Sequence, residues 1–251
     1  MRSMFVGFVT AATFFAVAAV AQETEQHAHW AYNGKDGPKN WAKLDRAYAE
    51  CKLGHHQSPI DIHHTEKAEL PPIQFDYKPT PLKVEDNGHT VVVSYAPGSF
   101  ITVGDHRYQL TQFHFHHPSE EHVNGKGFDM VIHLVHSDGS GNLAVVAVLL
   151  KPGKINAALQ AVWDHLPKEK DKAVAVEDVS INAADLLPAD HGYYIFEGSL
   201  TTPPCTEPVT WFVLKTPEEI SSGEVAVFAR LYPHDARPPQ KLEGRVVRES
   251  K

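Results

Sequence analysis

The sequence predicts a mostly β protein of the α+β kind: one domain around a central sheet, with a few short surface helices. Three observations carry this. From Val91 onward, short runs of β-branched and aromatic residues are separated by Gly, Asn and Asp. One run, Ala144 to Leu150, is apolar at every position, as a mid-sheet strand covered on both faces must be. Only two stretches carry helix signals. No repeat, low-complexity linker or boundary interrupts the chain.

The elements follow in order. Met1 and Arg2 precede an apolar run from Met4 to about Val20, and Ala19-Val20-Ala21 stands before Gln22. A basic start, an apolar core and a small-x-small end form the pattern of a cleaved export signal. Residues 1–21 are therefore expected to be removed, leaving a domain at 22–251. The run is shorter than the roughly 20 apolar residues that a membrane span needs. Polar residues Gln22 to Gln26 follow it at once, and no later stretch is long enough to cross a bilayer. The expected location is the periplasm or the outside of the cell.

Export bears on Cys51 and Cys205, the two cysteines of the chain. In an oxidising compartment two such residues usually pair. They have no CxxC spacing, which argues against a thiolate zinc site. Leu70 to Pro81 reads as an ordered loop or sheet edge, because Ile73, Phe75 and Tyr77 alternate through a Pro-rich stretch. Strands are predicted at Val91–Val93, Phe100–Val103, Tyr108–His116, Met130–His136, Leu143–Leu150, Tyr193–Phe196 and Val209–Leu214. A helix is predicted at Ile155–His165, with Ile155, Leu159 and Val162 on one face. Thr216-Pro217-Glu218-Glu219 reads as an N-cap, a first-turn proline and a capping-box acid opening a helix to about Arg230.

The formal charge is −8, and it becomes −9 once Arg2 is lost with the signal. An acidic chain without Lys/Arg runs is a poor nucleic-acid binder. The one compositional excess is histidine, 17 in all. Many fall early (His27, His29, His55, His56, His63, His64), and His117 and His122 flank the central motif. These read as solvent-exposed loop residues, with a secondary proton relay or weak metal site as the alternative.

Gln112-Phe113-His114-Phe115-His116 carries the chemical argument. Side chains alternate faces along a strand, so Gln112, His114 and His116 share one face and the two phenylalanines the other. Two imidazoles so placed can meet one metal ion. A zinc site that keeps a position open for water takes a third protein ligand. His133 is the best candidate, mid-strand in Met130–His136, with Val131 and Val135 on its own face. A rival pattern exists: His114, His116, Glu120 and Gly127 resemble the first metal motif of cupins, in which Glu120 would be a ligand. The glycine expected before His114 is Tyr108, and no second cupin motif follows.

The sequence resembles the α-class carbonic anhydrases, in the form of their exported bacterial members. The resemblance runs through His29-Trp30-x-Tyr32, Gln57-Ser58-Pro59-Ile60-Asp61-Ile62, Asn87-Gly88-His89, the Gln112–His116 run, His133–His136, Leu143-Ala144-Val145, Gly198–Pro204, Val209-Thr210-Trp211, Arg237-Pro238 and Arg245. It covers nearly the whole mature chain. It implies a large, mainly antiparallel, twisted sheet of about ten strands and Zn2+ held by His114, His116 and His133. That three-histidine set defines the family, so the match is no independent derivation. It also implies the reaction, reversible hydration of CO2 to bicarbonate and a proton by attack of hydroxide on zinc. Gln112 would support His114 from behind. Thr201 would accept a hydrogen bond from the hydroxide and donate one to Glu120. Thr202 would contact bicarbonate, and Val135, Val145, Leu200 and Trp211 would line the CO2 pocket. His89 would relay the proton. The resemblance leaves a homodimer open.

One position departs from the family pattern. A glutamate usually stands two residues before the third ligand, to accept from its second nitrogen; here that residue is Val131. Water or another group must then serve His133, or zinc is held more weakly. On that reading, Val131→Glu should slow zinc loss. A catalytically weak, anhydrase-like zinc protein is the alternative in which this support is simply missing.

Overall fold

The computed structural model describes residues 27–251; the expected signal at residues 1–21 lies outside the described residues. The chain forms, in order, α1 (Trp41–Leu44), α2 (Glu50–Leu53), β1 (Asp61–Ile62), β2 (Glu66–Ala68), β3 (Gln74–Asp76), β4 (Thr80–Asp86), β5 (Val91–Ser94), β6 (Phe100–Val103), β7 (His106–His116), β8 (His122–Val123), β9 (Met130–Ser137) and β10 (Leu143–Pro152). It continues with α3 (Ala157–Trp163), β11 (Val174–Ile181), β12 (Tyr193–Gly198), β13 (Val209–Leu214), β14 (Glu218–Ile220), α4 (Ser222–Leu231) and β15 (Arg248–Ser250).

Ten strands cross one large, twisted sheet in the order β11-β4-β5-β7-β9-β10-β13-β12-β15-β2, with β3, β6 and β14 joining it off that path. Nine of its twelve strand pairings are antiparallel, and the central β10·β13 pair is parallel. The sheet is therefore mixed, and mainly antiparallel as expected.

Parity assigns its two faces. Ala144, Val146, Val148 and Leu150 of β10 join one core cluster; Val145, Ala147 and Leu149 join the other. A fully buried Val or Leu contributes roughly 1.5–3 kcal/mol, so both faces of this strand hold it in place. A one-residue slip would exchange the two faces. The same alternation sends Phe113 and Phe115 of β7, with Met130, Ile132 and Leu134 of β9, into the first cluster. His114, His116, Val131 and His133 then face the second side, where Trp211, Val145 and Val209 pack. His136 faces away from the metal candidates, where Tyr77 Oη lies 2.8 Å from its Nε2.

Three readings change. The Thr216 helix does not start where the first capping signature stands. Residues 218–220 form β14 instead, parallel to the end of β10, and bury Ile220 completely. Thr216 Oγ1 donates to Asp190, not to a helix amide. The working capping box is five residues later: Ser221 accepts from the Glu224 amide, and Glu224 accepts from the Ser221 amide. In α3, Asn156 is the N-cap, so Ile155 precedes the helix and stays 68 % exposed while Leu159 and Val162 are buried. Strands β4 and β11 fall outside the predicted strands; they pair with each other at one end of the sheet. Among the described residues no helix is long and apolar enough to cross a membrane.

Candidate metal centre

Strands β7 and β9 run antiparallel with His114 directly opposite His133. His116 lies two residues on, so the three rings meet on one face, with centroids 4.8–5.3 Å apart. One nitrogen from each ring lies within 4.8 Å of the others. Glu120 is not in that set.

The outer nitrogens fix the tautomers. His114 Nδ1 lies 2.9 Å from Gln112 Oε1, a neighbour on the same strand face. His116 donates from Nδ1 to the Asp235 carbonyl oxygen at 2.8 Å. His133 donates from Nε2 toward both carboxylate oxygens of Glu121, 3.1 Å each. Each acceptor leaves the opposite nitrogen with a lone pair directed inward. Two of these, His116 Nε2 and His133 Nδ1, are buried and have no hydrogen-bond partner. Buried polar nitrogens without partners are costly unless something binds them. A tetrahedral cation with nitrogen ligands and one open position fits this donor set.

The charge balance agrees. Glu120 and Glu121 are both fully buried beside the cluster. Burial and the neighbouring imidazoles hold His114 well below the ordinary imidazole range, which favours the neutral ligand form. Burial also acts to lower His116, but the Glu120 and Asp235 carboxylates outweigh it and its pKa is raised. A cation seated among the rings would take the place of that proton.

Two results go beyond the expectations. The acceptor missing at Val131 is supplied by Glu121, on the loop before β8. The signal available was an extra acid beside Glu120, but nothing local says which way it points. A glutamate at 131 would bring a second buried carboxylate to a nitrogen already served, so the expected gain from Val131→Glu does not hold. Asp235, whose carbonyl serves His116, was also missed, because that contact spans 119 positions.

Glu120 is anchored, with Oε1 accepting from the Arg237 backbone amide at 2.7 Å. Its Oε2 has no partner and lies 3.5 Å from His116 Nε2. Thr201 is buried, but among the described residues no hydrogen bond joins it to Glu120. The loop carrying it is fixed from several sides. Ser58 and Ser199 exchange amide-to-hydroxyl hydrogen bonds at 2.8 and 3.1 Å, and Trp211 Nε1 donates to the Ser199 carbonyl at 3.0 Å. Gly198 is required here, since a Cβ would stand 2.2 Å from Ser58 Oγ and 2.7 Å from the Trp211 ring. Cys51 and Cys205 are disulfide-bonded, and the Cys205 amide donates to the Thr202 carbonyl at 2.8 Å.

Val145 and Trp211 are buried in the apolar cluster on the histidine face, with Val135 and Leu200 packed against it. The Trp211 ring lies 4.9 Å from His133. His89 sits just before β5, whose Val92 pairs with His114. Its ring stacks on Trp30 at 3.7 Å and 7°, with His29 5.9 Å away. Burial first, then His29, lowers its pKa. Of the other histidines, His55 and His56 lie against Glu243 and Glu197 at the surface and join no metal cluster among the described residues.

Known proteins resemble this chain along most of its length. A carbonic anhydrase of Neisseria gonorrhoeae is 42% identical over 95% of this chain and 93% of its own length. One from Nostoc sp. is 39% identical over 97% of this chain and 94% of its own. The solved structure of a hyperthermostable carbonic anhydrase from a hydrothermal vent chimney superposes with a TM-score of 0.86 at 43% identity, covering 89% of this chain and all of that one. The pattern of the eukaryotic-type carbonic anhydrases matches residues 36–251, and the chain belongs to that family.

Proposed function

We propose that the protein catalyses the reversible hydration of CO2 to bicarbonate and a proton, with Zn2+ held by His114 Nε2, His116 Nε2 and His133 Nδ1. The observation that carries the proposal is the set of three converging nitrogens, each on a ring whose other nitrogen is already tied to an acceptor. When bound, zinc supplies a water acidified to a pKa of about 7, and so a nucleophile at neutral pH; this figure is the one known for the family.

The remaining steps belong to side chains. Val135, Val145, Leu200 and Trp211 offer an apolar wall, the natural way to hold a substrate without a polar handle. Thr201 aims the nucleophile through its hydroxyl, and Glu120 Oε2, free of other partners, is the acceptor for that hydroxyl. Thr202 contacts the product. His89 takes the proton at its ring and passes it to buffer.

Stopped-flow CO2 hydration, with and without a chelator, tests this reading. Activity should vanish on zinc removal and return with added zinc. His133→Ala should abolish both zinc retention and hydration; full activity in that variant would refute the ligand set. We further propose that the domain at 22–251 acts in the periplasm. The Cys51–Cys205 bond supports an oxidising compartment, and a mature N-terminus other than Gln22 would refute the cleavage site.

A further inference from the structure

We propose that Glu121 is the positioning residue of His133, a role moved here from the ligand's own strand to the loop before β8. The proposal rests on the zinc reading above. Several observations support it. Val131, two residues before His133 on the same face, is fully buried and belongs to the apolar cluster with Val145, Ala147 and Trp211. A valine side chain offers no acceptor for the ring's N–H. Glu121 approaches from the other direction, fully buried, with both oxygens 3.1 Å from Nε2.

The loop that delivers it is held at each end. Ser119 Oγ donates to the Glu121 carbonyl at 2.9 Å and accepts from the Phe128 amide at 2.8 Å. The Ser119 amide donates to the Phe128 carbonyl at 3.1 Å, and the His122 amide to Ile60 at 3.2 Å. Glu120, the preceding residue, is pinned by Arg237. One short loop therefore sets two consecutive acids. Glu120 faces the inner side of the histidine cluster, 4.0 Å from His133 Nδ1, and Glu121 holds the outer nitrogen of the same ring. A carboxylate on Nε2 fixes the tautomer that leaves Nδ1 free, and it raises the basicity of that nitrogen toward a metal. A buried core ion pair would show the same distances, so the test must separate the two.

The variants are Glu121→Gln, Glu121→Ala and the double exchange Glu121→Ala with Val131→Glu. Zinc loss from the loaded proteins to excess chelator is followed by an indicator dye. Melting temperatures are taken for zinc-loaded and metal-free forms. Both single variants should lose zinc about 10–100-fold faster than the parent. The double exchange, which returns an acid to the strand, should recover most of the loss. Zinc should raise the melting temperature of Glu121→Gln less than that of the parent, while the metal-free forms melt alike. Zinc loss within twofold of the parent in both single variants would overturn the proposal. So would a metal-free Glu121→Gln destabilised as much as its loaded form, which marks a structural pair. Should the double exchange fail to fold, Glu121→Gln decides alone. A parent that holds one zinc per chain yet hydrates no CO2 would end the enzymatic proposal and leave this one standing.

Discussion

Replacing Cys51 and Cys205 together by alanine should cost the fold about 5 kcal/mol. The bond closes a loop with a sequence separation of 154. In the chain-entropy treatment, a cross-link of that span removes about 17 cal/mol/K from the unfolded ensemble, or ~5 kcal/mol at 25 °C. Against a usual domain stability of about 5–15 kcal/mol, that is a large share. The native state should suffer little by comparison. Gln57 still donates to the Cys205 carbonyl at 3.0 Å and Arg237 to the Cys51 carbonyl at 2.9 Å, and both are main-chain contacts that alanine preserves. Urea unfolding followed by fluorescence gives the measurement. The midpoint should fall, and the slope should rise because the unfolded chain is no longer tethered. Zinc content should stay at the parent level while the variant is folded, because the proposed ligands sit on β7 and β9, which the bond does not join. A loss below about 1 kcal/mol would refute the reasoning, since the closed loop would then not be constraining the unfolded chain.

Two further outcomes follow from single histidines. His89→Ala should slow hydration in weak buffer toward the roughly 10^3 per second that proton loss to bare water permits at a diffusion limit near 10^10 per molar per second. The figure for this enzyme family is about 10^6 per second, and added imidazole should restore part of the difference. Equal rates for parent and variant in every buffer would mean that protons leave by another route. His136 is buried between Tyr77 and the Ala144 carbonyl, and burial pushes its pKa down to about 3. Its folded pKa is below the unfolded value near 6.5, so the unfolded state binds the extra proton first. The stabilisation is complete above pH 6.5 and is lost as pH falls from there toward 3, by at most ~5 kcal/mol. Urea midpoints across that window should slope less steeply in His136→Gln; identical slopes would exclude the assignment.

What could be read from the residues alone follows the range of each interaction. The QFHFH run placed two of the proposed ligands and Gln112 on one face, because strand parity is a local rule; the resemblance, not parity, gave Gln112 its supporting role. Ala144–Leu150 announced a strand with two covered faces, because an unbroken apolar run must be shielded from water on every side. The capping signature at Thr216 misled for the opposite reason. Two capping signatures stand in succession, at Thr216 and Ser221, and the choice between them was made by Ile220, whose burial requires an extended segment beside β10. Strand β11 is mostly exposed and takes its identity from pairing with the distant β4, which no window along the sequence contains; β4 buries Leu82 and Val84 and pairs with β5 as well.

The same gradient orders the three proposed ligands. His114 is supported from two residues away, His133 from 12 and His116 from 119. The first acceptor is a matter of periodicity. The second depends on a loop folding back over its own strand. The third depends on the segment after α4 returning to the site. A missing acid at one strand position therefore says little about whether a ligand is supported, because the requirement is on the ring nitrogen and not on the position. Any carboxylate that reaches Nε2 from a rigid backbone meets it. Val131 is then free to serve the apolar side of the site, which an acid in its place would have interrupted.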